Sequence, residues 1–357
     1  MAEVTAAANI TDETKAVVVP EVKKSARVAV VQQADNDTSD EEAAVEEEAD
    51  VEDEEILADL SDDQEEINLI HSRLKSTAKL GLQRFTQLKK LCLRQNHIPS
   101  LDPEAFRPLT ELEELDFYDN GLKTIGDALD ECTKLEVLDL SFNLFRHVPD
   151  NLSKFPALHT IYFVQNKISQ ISGLKPIGRT LRSVELGGNR LRKIEGLESL
   201  VTLEQLWLGK NKITKLEGLE NLKNLKILSI QSNRITKIEG LEGLENLEQL
   251  YLSHNGIKKI EGLETNTKLS TLDIAANFVS ELENVSHLTG LEELWMNNNK
   301  IETLAGLEPQ LQHITTLETI YLEHNPVQAK EGANYRRKVT LALPQISQLD
   351  ATYVKQV

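Results

Sequence analysis

Leucine and isoleucine return along most of this chain in one short pattern. The string Leu88-x-x-Leu91-x-Leu93-x-x-Asn96-x-Ile98 is repeated with asparagine at Asn96, Asn120, Asn143, Asn166, Asn189, Asn211, Asn233, Asn255, Asn277, Asn299 and Asn325, at spacings of 22 to 26 residues. A worn copy, Ile67-x-Leu69-x-x-Ser72-x-Leu74, precedes them. Alternation of apolar and polar residues in each Leu-x-Leu predicts a strand of a few residues, one side turned inward. No such strand can bury its apolar side alone. Stacking successive copies does so, and the period predicts a solenoid with one parallel β-sheet along its concave face.

The polar residues inside the pattern read as structural. Each asparagine falls where the chain leaves its strand, and its amide can pair backbone groups that would otherwise be buried unpaired at about 1–3 kcal/mol each. Seven residues later come Gly173, Gly196, Gly218, Gly240, Gly262 and Gly306, with Asn284 and Asp150 at equivalent places. These residue types tolerate left-handed or capping backbone, which predicts a turn into the return segment. The short period leaves room there for a brief helical or 3₁₀ turn. Low aromatic content, 4%, points to an aliphatic core. After Asn325 the repeat stops, while Tyr335, Val339, Leu343, Ile346 and Leu349 continue at helix-like spacing. An open solenoid end needs such a cover. The expected organisation is a tail over 1–62, the solenoid over 63–334 and a C-terminal cap over 335–357.

Charge changes the picture at the N-terminus. The formal net charge is −19, and Asp35 to Glu66 holds 18 acidic residues with no Lys or Arg. Such a tract cannot bury enough apolar surface to offset its ordering entropy, so disorder is expected there. Met1 to Lys24 does not read as a secretory signal, and no apolar run is long enough to span a bilayer. Only two cysteines, Cys92 and Cys132, are present. That usage favours the cytosol or nucleus. The sequons at Asn9, Asn36, Asn151 and Asn284 are then accidental.

The middle residue of each Leu-x-Leu projects from the sheet. That column reads Cys92, Asp116, Asp139, Tyr162, Glu185, Trp207, Ser229, Tyr251, Asp273, Trp295 and Tyr321, and it takes both tryptophans of the chain. Solvated strand faces seldom carry so many large aromatics, and aromatics dominate binding hot spots. Flanking outward positions bring the acids to eight, with Glu114, Asp119, Glu293 and Glu323 added, against Lys90, Arg94 and Lys210. That sign opposes nucleic-acid phosphate and suits a protein partner with basic and apolar patches. His254 and His324 share one outward position and are interface candidates. The histidines lack metal-ligand spacing, and phosphate-loop, dinucleotide and nucleophile-elbow motifs are missing. Neither enzymatic activity nor a cofactor is expected.

The strings Lys193-Ile194-Glu195-Gly196-Leu197-Glu198, Lys215-Leu216-Glu217-Gly218-Leu219-Glu220 and Lys237-Ile238-Glu239-Gly240-Leu241-Glu242 resemble the SDS-type leucine-rich repeats. With the acidic tail, twelve repeats and the Tyr-Arg-x-Lys-Val cap, the chain is similar to the leucine-rich-repeat regulatory subunits of type-1 Ser/Thr protein phosphatase. The resemblance covers about residues 60 to 357. It implies an α/β leucine-rich-repeat solenoid with short helical or 3₁₀ convex segments. It also implies a non-catalytic subunit, nuclear and cytoplasmic, that grips the phosphatase catalytic subunit on the concave face and acts in phosphatase maturation and mitotic control. A second inhibitor subunit belongs to the same picture, as does a chain monomeric before it meets its partner. The implied contact residues are Asp139, Tyr162, Glu185, Trp207, Asp273, Glu293, Trp295 and Tyr321; Tyr251 joins them by its place in the column. Tyr162 and Trp207 stand where the family often has phenylalanine. Arg27-Val28-Ala29-Val30 begins like a phosphatase docking peptide but lacks its aromatic. A ribonucleoprotein scaffold would have a shorter array, and a tubulin- or dynein-associated repeat protein would carry extra domains.

Overall fold

The computed structural model describes residues 56–354. Most of the acidic tract, the Arg27–Val30 string and the sequons at Asn9 and Asn36 lie outside them.

Each repeat contributes one three-residue strand. The strands are β1 (Glu66–Asn68), β2 (Lys90–Cys92), β3 (Glu114–Asp116), β4 (Val137–Asp139), β5 (Thr160–Tyr162), β6 (Ser183–Glu185), β7 (Gln205–Trp207), β8 (Ile227–Ser229), β9 (Gln249–Tyr251), β10 (Thr271–Asp273), β11 (Glu293–Trp295) and β12 (Thr319–Tyr321). They pair in sequence order and in parallel; β13 (Gln348–Leu349) extends the sheet, and β14 (Thr352–Tyr353) closes it antiparallel. Register is constant, so the same repeat position is always opposite itself: Leu206 lies against Leu228, and Leu228 against Leu250. The central residue of every strand from β1 to β13 is apolar and buried except for the two-residue β13, where Leu349 takes that role.

The asparagines form a second ladder inside the turn. Asn233 Nδ2 donates to the carbonyls of Leu208 (3.0 Å), Ile230 (3.2 Å) and Gln231 (3.1 Å), while its Oδ1 accepts from Ile213 N (2.9 Å). The acceptor half of that arrangement recurs from Asn96, bonded by Leu74 N, to Asn325, bonded by Ile301 N. Each amide thereby ties its own repeat to the one before it. Nearly every hydrogen-bonding valence of the side chain is used, so the polar column costs the core little.

The glycine column is left-handed at Gly173, Gly196, Gly218, Gly240 and Gly262, and Asn284 joins it at φ 57°. At Gly218 a Cβ would also lie 2.6 Å from Ile194 O. Two expected members differ. Asp150 is not among the left-handed residues, and Gly306 has φ −78° at the start of α2 (Leu307–Leu311). Gly306 is there for space: a Cβ would meet Leu282 O at 2.5 Å. Two of the sequon asparagines are absorbed by the fold. Asn284 Nδ2 bonds Ile260 O at 2.8 Å, and Asn151 Nδ2 bonds Gly126 O at 3.0 Å.

The core is less uniformly aliphatic than its composition suggests. Phe85, Phe106, Phe117, Phe145, Phe155 and Phe163 are all fully buried, with edge-on contacts at 6.0 Å (Phe106–Phe117) and 5.9 Å (Phe145–Phe163). They fall in the N-terminal repeats of 23 and 24 residues, where the longer return leaves more volume to fill. That return holds α1 (Pro103–Phe106) and 3₁₀ turns at Leu82–Arg84, Leu152–Lys154 and Lys175–Ile177. From Ile177 to α2 the return runs through tight turns alone, and the core there is mainly Leu, Ile and Val, with Met296 and the buried Asn266.

Both ends are covered. Leu57 is buried in the core and Arg84 donates to the carbonyls of Leu57 and Leu60, so the packed unit starts before the expected boundary at residue 62. At the other end the cap begins at α3 (Pro326–Glu331), ahead of the expected residue 335, and continues into α4 (Tyr335–Ala342). Tyr335, Val339, Leu343, Ile346 and Leu349 are buried as their spacing predicts.

Candidate functional site

Constant register turns the outward column into a continuous strip. Asp139 lies opposite Tyr162, then Glu185, Trp207, Ser229, Tyr251, Asp273, Trp295 and Tyr321 follow across β4 to β12. The side chains do not stand upright into solvent. Trp207 and Tyr251 lean over the small Ser229 between them until their rings stack, centroids 6.3 Å apart and planes 21° apart, which leaves Ser229 3% exposed. Trp295 and Tyr321, on adjacent strands, meet edge to face at 5.5 Å. Glutamines steady the phenols: Tyr251 Oη donates to Gln249 Oε1 at 3.1 Å, and Gln348 Nε2 donates to Tyr321 Oη at 2.7 Å. The strip is thus a half-buried aromatic bed whose rotamers are already fixed. The Trp295 indole N–H is buried and has no hydrogen-bond partner among the described residues.

Six of the eight outward acids divide into three sets. Glu114 and Asp116 are paired with the sheet's own bases, Lys90 at 2.7 Å and Arg94 at 3.0 Å. Asp139, Glu185 and Glu293 have no ion pair among the described residues, and burial among the neighbouring side chains pushes each carboxyl above its ordinary range. Asp273 differs from the projecting residue expected of it. It is 1% exposed between Tyr251 and Trp295, and its carboxylate accepts from Gln231 Nε2 (2.8 Å) and Ala275 N (3.0 Å). It braces the bed from below. A partner reaches it only by displacing the aromatics above.

The column reading missed two aromatics among the next outward residues, Tyr118 and Phe142. Arg94 sits 4.1 Å over the ring of Tyr118, and Tyr118 packs on Phe142 at 4.6 Å. Tyr118 was within reach of the pattern, being two residues beyond Asp116 on the same alternation. Phe142 was within reach as well, since it stands one residue before Asn143 as His254 and His324 stand before Asn255 and Asn325, at the left-handed φ (53° at Phe142) that this repeat position keeps. His254 and His324 are exposed at the same left-handed ridge position. Cys132 is buried, which pushes its thiol up to about 12, and Cys92 is raised by partial burial. Among the described residues no group of His, Cys, Asp and Glu is placed to hold a metal ion.

A family described as leucine rich repeat matches residues 86–145, and one described as leucine rich repeats in two copies matches 179–221, 223–265, 245–287 and 267–309. The chain is a leucine-rich-repeat protein. Solved structures agree on the fold: an internalin from Listeria monocytogenes superposes with TM-score 0.64 at 22% identity, covering 81% of this chain and 87% of that one. A leucine-rich-repeat protein of Leptospira interrogans gives TM-score 0.61 at 24% identity, over 74% and 73% of the two chains. Among curated proteins, this leucine-rich-repeat chain is 47% identical over 96 residues to protein phosphatase 1 regulatory subunit SDS22 of Saccharomyces cerevisiae, 27% of this chain and 28% of the relative. It is 39% identical over 150 residues to a protein phosphatase 1 regulatory inhibitor subunit PPP1R7 homolog of Arabidopsis thaliana, 39% and 44% of the two chains. It is 54% identical over 46 residues to protein phosphatase 1 regulatory subunit 7 of Mus musculus, 13% and 12% of the two. The matched stretches span less than half the length of these relatives.

Proposed function

We propose that this leucine-rich-repeat protein is a non-catalytic regulatory subunit that binds the catalytic subunit of type-1 Ser/Thr protein phosphatase through its sheet face. The observation that carries the reading is the strip itself. Two ordered aromatic pairs alternate with carboxylates that lost water on folding and gained no cation. A partner surface bearing Lys or Arg beside apolar side chains would bury the rings and restore counterions to Asp139, Glu185 and Glu293. Because the ring pairs are already packed, little rotamer entropy remains to be lost on binding. The names of the relatives supply the identity of such a partner. In this reading the subunit controls the activity, maturation or targeting of the phosphatase, and it acts in the nucleus and cytoplasm and in mitosis. The free chain is monomeric in this reading, and a second inhibitor subunit can join the complex.

The test is titration calorimetry of the purified phosphatase catalytic subunit into the full chain and into Trp207→Ala/Trp295→Ala. Binding by the wild type that the double variant loses supports both partner and face. No binding by a folded wild type refutes the partner, and equal binding by the two chains refutes the face.

A further inference from the structure

A second surface has the opposite charge. One residue past each asparagine, the chain carries Lys167, Arg190, Lys212 and Arg234 in four successive repeats. Their backbones form a ladder of their own. The N–H of each donates to a carbonyl of the preceding repeat, of Phe145, Ile168, Leu191 and Ile213 respectively, all at 2.8 Å. The four side chains are therefore held in register along the flank, at about the 4.8 Å spacing of hydrogen-bonded strands. Arg190, Lys212 and Arg234 are exposed, and none of the three forms an ion pair among the described residues. Arg192 adds a further exposed cation beside them. The next row out is balanced: Lys215 and Lys237 lie 3.9 and 3.7 Å from Glu217 and Glu239. In a chain of net charge −19, four like cations in file are a local exception that raises repulsion within the fold.

We infer that this cation file is a docking site for an extended acidic segment of a protein, a run of Asp, Glu or phosphorylated residues that lies along the flank. The file spans about 15 Å, the length of four or five extended residues. Nucleic acid fits it less well. Single strands need aromatic platforms for their bases, and the one aromatic between Lys167 and Lys237 is Trp207, which faces the sheet strip. The flank is independent of the strip, so this inference stands or falls apart from the proposed phosphatase reading.

The probe is a fluorescein-labelled ten-residue polyglutamate peptide, followed by fluorescence anisotropy with the full chain at low salt. The variants are Arg190→Glu/Lys212→Glu/Arg234→Glu and, as a control of equal charge change, Arg179→Glu/Lys330→Glu/Arg337→Glu; all six sites are exposed. The expected result is saturable binding weakened at least tenfold in the file variant and changed less than threefold in the control. Trp207→Ala/Trp295→Ala should bind the peptide as wild type does. Equal losses in file and control variants would reduce the effect to overall charge and overturn the site. So would an oligouridylate strand or phosphatidylserine vesicles binding the file more tightly than the peptide, or no peptide binding at all.

Discussion

Asp350 Oδ1 accepts the backbone N–H of Leu322 at 2.8 Å, and takes that of Glu323 at 2.9 Å as well. In the body of the solenoid the N–H equivalent to Leu322 is bonded by a main-chain carbonyl of the next strand, as Leu208 N is by Ser229 O at 2.7 Å. At the last repeat the next strand is ending, and a carboxylate takes over. Its second oxygen is held by Tyr335 Oη of the cap at 3.2 Å, and burial, reinforced by the pairing with this carboxylate, pushes the Tyr335 phenol up. Asp350→Ala should therefore leave buried donors unpaired and cost about 2–4 kcal/mol in urea unfolding. Asp350→Asn keeps an acceptor and should cost less than half of that.

The two tryptophans should carry partner affinity and little stability. Each of Trp207→Ala and Trp295→Ala is expected to weaken binding of the phosphatase catalytic subunit by about 2 kcal/mol or more, roughly 30-fold, in calorimetry. Circular dichroism should show the wild-type spectrum for both, because neither ring belongs to the leucine core.

The unpaired carboxylates set the stability of the free chain against binding. Burial raises the folded-state pKa of Asp139 above its unfolded value, so the native state holds its proton more tightly, and this group costs stability as pH rises through its folded pKa. Asp139→Asn removes that cost and keeps an oxygen for the Ser141 N–H, now bonded at 2.8 Å. The variant's Tm should exceed the wild type's at pH 7.5, and the difference should shrink toward pH 4. Affinity for a basic partner should move the other way, with the variant binding more weakly at pH 7.5.

Glycines with and without a left-handed backbone should respond differently to a methyl group. Gly218→Ala forces a Cβ to 2.6 Å from Ile194 O at φ 69° and should cost roughly 2–3 kcal/mol. Gly187→Ala meets Gly209 O only at 3.4 Å, with no positive φ, and should stay within about 1 kcal/mol in the same unfolding assay.

The sequence by itself determined the repeat, the strand positions, the buried asparagine column, the cap and the members of the outward strip. All of these are local: a period near 22 residues copies one hydrogen-bonding scheme many times, so a residue's environment follows from its place in the period. The tertiary structure decided what depends on neighbours in adjacent repeats. Asp273 looks in sequence like any other outward acid, yet the bulk of Tyr251 and Trp295 on either side buries it. Ser229 looks like a gap in the column, and its small size is what lets Trp207 reach Tyr251. The role of Asp350 depends on the sheet ending there, and that Lys167, Arg190, Lys212 and Arg234 form one file depends on the ladder that aligns their backbones. Position within a repeat is written in the period. Contact across repeats is set by the relative sizes of side chains about 5 Å apart, and the period does not record them.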